Sequence, residues 1–83
     1  MLNGDFATQQ AKALAARLLK EAGVNPKRQI DLAYRLTTGR APNQKELQIA
    51  LAFLREKKSM DAEKAREQFA LAMFNLNAFL YMN

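Results

Sequence analysis

Two places in this 83-residue chain carry residues whose type and spacing could do chemistry or recognition. The first runs from Tyr34 to Gln48. Arg35 and Arg40 flank Gly39, and Pro42-Asn43 leads into Gln44, Lys45, Glu46 and Gln48. Read as a helix-turn-helix, it starts a recognition helix at Asn43. That helix offers Gln44, Lys45 and Gln48 to base edges and sets Arg40 on phosphate. An ordinary turn between two helices needs the same glycine and the same cap. Asn43 and Glu46 are three apart, the spacing of a capping box, so both have structural work already. Arg40 carries five donors in a fixed fork and is then expected to bond helix-end carbonyls or a carboxylate. The second place is Asn75 and Asn77, two amides in the most apolar stretch of the chain. Spaced by two, they point roughly 200° apart on a helix and cannot form one site. One is expected to face solvent or a helix end. The other is expected to tie its helix to the turn at Gly39–Pro42 through backbone groups.

Most other chemistry is excluded by composition. The chain has no Cys and no His. It therefore has no disulfide, no thiolate zinc site, no c-type haem attachment and no imidazole base. Ser59 is the only serine and has no base near it in sequence. Asp31, Glu46, Glu56, Asp61, Glu63 and Glu67 each sit in polar surroundings that give no reason for a raised pKa. They do not converge in one loop, as an oxygen-ligand metal site would require. The expectation is a chain without catalytic, cofactor or metal residues. Tyr34 and Tyr81 read as core-edge rings with a wet hydroxyl, and the late Met residues as packing filler.

The net charge is +5, and most of it lies early. Residues 1–40 hold Lys12, Arg17, Lys20, Lys27, Arg28, Arg35 and Arg40 against Asp5, Glu21 and Asp31, leaving about +4 there. The charges are scattered over two helices and two turns, which is the pattern of a solvated face. The first residues turn polar at the third and show no apolar core of a signal peptide. The run from Phe69 to Met82 is too short, and too interrupted by Asn75 and Asn77, to span a bilayer.

These residues are positioned by four expected helices, about 6–22, 26–38, 43–57 and 61–80, in one all-α domain over 1–83. Asp5 is the expected cap of the first, and Ala7, Ala11, Leu14, Leu18 and Ala22 are its apolar stripe. Gly23 ends it. Asn25 and Pro26 start the second, with Ile30, Ala33, Tyr34 and Thr37 inward, Leu36 beside them and Gly39 at its end. The third carries Leu47, Ala50, Leu51 and Leu54 inward, flanked by Ile49 and Phe53. The fourth carries Ala62, Ala65, Phe69, Ala72, Met73, Leu76 and Leu80. Leu71, Phe74 and Phe79 make its second half apolar on nearly every side. Such a helix is either wrapped by the other three or presents a surface for docking or self-association. Short connections favour a compact four-helix, bundle-like array.

The order of residues also carries a resemblance. It comprises Leu2-Asn3, Gln10-Ala11, Ala13-Leu14-Ala15, Ile30 to Leu36, Gly39-Arg40-Ala41-Pro42, Glu46-Leu47 and Phe74 to Tyr81. The chain resembles the C-terminal region of large planctomycete-type proteins of unknown function, often fused to a c-type-cytochrome-like module. It departs from them at Phe69, Ala78 and Asn83, where that family often has Trp, Glu and Asp. The resemblance implies a domain of a larger, exported protein, periplasmic or at the cell surface, with haem chemistry outside this chain. It also implies that the spare apolar surface packs on the remaining domains of the parent. The residues expected to organise the module are Tyr34, Arg35, Gly39, Arg40, Pro42, Asn75, Asn77, Phe79 and Tyr81. The resulting expectation is a non-catalytic structural or protein-interaction module, with nucleic-acid binding by the basic first half as the alternative.

Overall fold

Punctuation residues divide the chain into four helices: α1 Asp5–Ala22, α2 Pro26–Thr38, α3 Gln44–Glu56 and α4 Ala62–Tyr81. The computed structural model describes residues 4–57 and 59–81, with side chains through Leu76. No strand occurs among the described residues. Asn25 accepts a hydrogen bond from the Arg28 N–H at 3.2 Å, and Pro26 occupies the first position of α2, where no donor is missed. Asp61 does the same for α4, accepting from the Lys64 N–H at 2.8 Å. At α1 the expected cap is displaced by one residue. Gly4 precedes the helix without a side-chain cap, and Asp5 lies in the first turn, where its charge still suits the helix dipole.

Gly39 closes α2 at φ 81°, ψ 2°, with its N–H donating to the Arg35 carbonyl. A side chain there would meet no neighbouring atom, so the constraint is the left-handed backbone itself. Gly39→Ala should therefore cost about 1 kcal/mol, and Gly39→Asn less, because asparagine tolerates that region. A matched pair of urea melts checks this. Equal midpoints for Gly39→Ala and the parent chain would show that the turn relaxes freely.

The core forms where α2 and α4 meet the other two helices. Each of α2 and α4 packs against all three others, whereas α1 and α3 do not pack on each other. Among the described residues, Leu18 and Ile30 are the large side chains fully removed from solvent. Around them lie Leu14, Tyr34, Phe69 and Met73, with Ala11, Ala15, Ala33, Ala50 and Ala70 at the approaches between helices. Alanines make up more than half of the buried apolar residues described. The Cα radius of gyration is 11.9 Å, close to the ~12 Å expected of a folded chain this long.

The α1 stripe lies inward as its spacing predicts, joined by Ala15. The α4 face is rotated from the expected one. Ala70 is fully buried, while Ala62 and Leu76 are exposed. A nearly uniform apolar segment offers little contrast to fix its phase, so the neighbouring helices decide it. Ile49 is 62% exposed, well out of the core. Thr37 is half-buried and bonds the Ala33 carbonyl through its hydroxyl, so its polar end is satisfied within α2. Leu36 is exposed, outside the core. The side chains of Asn77, Phe79, Leu80 and Tyr81 lie outside the described residues. No helix among the described residues is long and apolar enough to cross a membrane.

Candidate functional site: the corner between α2 and α3

The corner is built by the residues that end α2 and begin α3. Thr38 Oγ1 donates to the Tyr34 carbonyl at 2.7 Å and lies 3.3 Å from the Arg40 N–H, which donates to it. Gly39 turns the chain, and Ala41 and Pro42, both half-buried, lead to Asn43. The capping box is complete. The Glu46 N–H donates to Asn43 Oδ1 at 2.8 Å, and the Asn43 N–H donates to Glu46 Oε1 at 2.9 Å.

Arg40 closes this box from outside. Its two terminal nitrogens donate to Glu46 Oε1 and Oε2 at 2.8 and 2.9 Å, and one also donates to the Ala41 carbonyl at 3.0 Å. This is a two-toothed fork on a carboxylate, the geometry that suits arginine and not lysine. Glu46 is the helix-capping carboxylate, so a single oxygen serves both the cap and the ion pair.

The electrostatics follow from these contacts. The Arg40 hydrogen bond first, and the Asn43 backbone N–H next, pull the Glu46 carboxyl from its ordinary 4.5 down to about 2. The same contact raises the Arg40 guanidinium further above its already high value. Tyr34 is pushed up chiefly by burial, with the Glu46 charge adding and Arg40 opposing. At neutral pH the corner therefore holds a fixed carboxylate, a fixed guanidinium and a neutral phenol. None of the three is poised to exchange a proton near pH 7.

A pH test follows with a definite sign. Folding lowers the Glu46 pKa, so its contribution is fully present above about 4.5 and is lost as pH falls toward about 2. Glutamine retains a capping-box acceptor but not the charge. Glu46→Gln should melt below the parent chain at about pH 5, and the gap should close toward about pH 2. Parallel thermal melts across that range measure it. A gap that stays constant with pH would show that the carboxylate charge contributes nothing.

The sequence-predicted residues divide into three groups. Tyr34, Gly39, Arg40 and Pro42 belong to the corner. Arg35 joins it only through its carbonyl, which accepts from the Gly39 N–H; its side chain faces solvent and donates to Asp31 at 2.8 Å, an exposed pair one helical turn apart. Asn75 lies half-buried on α4, and the side chains of Asn77, Phe79 and Tyr81 lie outside the described residues. Gln44, Lys45 and Gln48 are exposed at the start of α3. Sequence reasoning missed Thr38 and Gln29. Thr38 gave no signal, since any residue can end a helix before glycine. Gln29 is 5% exposed and donates from its amide to the Gly23 carbonyl. Its position beside Ile30 and four before Ala33 on the inward arc of α2 was the available signal. No group of three or more acidic residues that could hold a metal ion occurs among the described residues.

Residues 1–54 match a protein family described as PSD1, protein of unknown function (DUF1553). The match spans the whole corner and ends at Leu54, before α4, and it shows a family of unknown function. No curated protein and no solved structure matches the chain significantly.

Proposed function

We propose that this chain, which belongs to the PSD1 family of proteins of unknown function (DUF1553), is a non-catalytic helical module for contacts with other protein. In this reading it closes the C-terminal region of a larger, exported protein of planctomycete type, whose haem-bearing module lies elsewhere. One observation carries the non-catalytic part. The corner's polar groups are engaged with each other: Arg40 with Glu46, Glu46 with the α3 cap, and Thr38 with the end of α2. Such a constellation fixes the angle between two helices and uses its carboxylate, guanidinium and threonine hydroxyl for that purpose. The contact part is supported by apolar side chains in solvent, with Phe6 77%, Val24 82% and Ile49 62% exposed.

The nucleic-acid reading keeps one favourable feature, the exposed trio Gln44, Lys45 and Gln48. The arginine it assigned to phosphate is already bound to Glu46. Binding to duplex DNA over a salt series separates the two readings. The module reading expects no binding at low salt, together with a complex between the chain and the upstream part of its parent by light scattering. Duplex binding whose logarithm falls steeply with log salt would overturn it.

A further inference from the structure

A cleft of about 370 Å³ opens where the start of α2, the end of α3 and the start of α4 meet. Val24, Leu54, Met60 and Ala65 give it apolar walls. Among the described residues, two cations also line it, Lys57 and Arg66, and no acidic residue does. Both cations are half-buried. Lys57 rests its ammonium 5.3 Å from the centre of the Phe53 ring. Arg66 forms no ion pair or hydrogen bond with a described residue, although Glu63 and Glu67 share its helix. Gln29 lines the cleft as well and is 5% exposed. Its amide nitrogen donates to the Gly23 carbonyl, and its Oε1 has no donor among the described residues.

Two like charges drawn partly out of water beside an apolar wall favour an anion between them. A buried amide acceptor without a donor favours an N–H brought by the same ligand. We propose that this cleft is a docking site for an acidic peptide segment with an apolar anchor, contributed by a protein partner. The peptide carboxylate meets Lys57 and Arg66, its apolar side chain enters between Val24, Leu54 and Met60, and its backbone N–H donates to Gln29 Oε1. A peptide fits this combination better than a fatty acid, which brings the carboxylate and the apolar chain but no N–H. The proposal rests on the protein-contact reading above and names the partner's chemistry.

The test is a titration of the isotope-labelled full chain, followed by NMR, with an acetylated, amidated peptide in which two acidic residues flank a leucine and a phenylalanine. Shifts are expected at the Gln29 side-chain amide and at Val24, Leu54 and Met60. Arg66→Gln and Lys57→Gln should each weaken binding about tenfold or more, with melting unchanged in Arg66→Gln. The same peptide carrying amides in place of its carboxylates should lose binding comparably. No shift at these residues, undiminished binding in both variants, or equal binding of the amide peptide would overturn the proposal. Dodecanoate is the second probe; its binding in the cleft without the peptide's would also overturn it. Failure here would leave the wider reading standing if the chain still associates with its parent. Loss of that association as well would remove both.

Discussion

Leu18→Ala is expected to lower the melting temperature by roughly 8–40 °C, because such truncations cost about 2–5 kcal/mol and each kcal/mol moves a small domain by about 4–8 °C. Leu18 is fully buried, one turn before the end of the α1 stripe, on a helix that packs against α4. The core cluster around it combines Ala11, Ala15, Ala33 and Ala70, too short to fill the hole, with Leu14, Tyr34, Phe69 and Met73, which relax into such a space only in part. The cavity should therefore persist, placing the loss toward the upper part of the range. A domain of this length buries only about 60–65% of its unfolded surface, so such a loss takes most of its margin. Ile49→Ala is the matched control: the same class of truncation at a side chain 62% exposed should fall within about 0.5 kcal/mol of the parent. Similar melting of the two variants would mean that the core is placed wrongly.

Phe69→Ala should cost about 3–5 kcal/mol in chemical denaturation, with Phe69→Leu costing distinctly less. Phe69 is 4% exposed and its ring centre lies 6.4 Å from that of Phe53, tilted by 52°. Phe53 in turn carries the Lys57 ammonium on its face. Removing the Phe69 ring takes away the support of Phe53 as well as its own buried area, so α3 loses part of its hold on α4. The double variant Phe53→Ala/Phe69→Ala should then lose less than the two single losses added together, as expected for residues in contact. Strict additivity would show that the rings do not support one another.

The boundaries of the helices were legible because each is marked by a residue with a mechanical reason to be there. Gly39 reaches a backbone region that other residues avoid, Pro26 needs no donor, and Asn43 with Glu46 forms a reciprocal cap. The inward faces of α1 and α2 were legible because polar and apolar residues alternate sharply along them. The face of α4 was not, since Ala70 and Leu76 look equivalent in a segment where nearly every residue is apolar. Packing buried the first and left the second in solvent. The first cap was misread because Asp5 suits either a cap or a first turn. At the corner the sequence indicated that Arg40 would find helix-end carbonyls or a carboxylate, but Glu46 was already assigned to the cap. That one carboxylate can do both depends on the turn folding back six residues, which spacing alone does not disclose.

The alanines at the helix approaches set how this core can respond to change. An alanine has no rotamers to lose on burial, so Ala11, Ala15, Ala33, Ala50 and Ala70 come together without the ordering cost that leucines or methionines would carry. The same absence of rotamers makes the interior unadaptable. Where longer side chains could swing to absorb a larger neighbour or fill a vacated space, these positions can only hold the helices at one separation. A larger side chain at any of the five would therefore have to be accommodated by moving helices apart, while the larger residues Leu14, Leu18, Ile30, Tyr34, Phe69 and Met73 interlock around them.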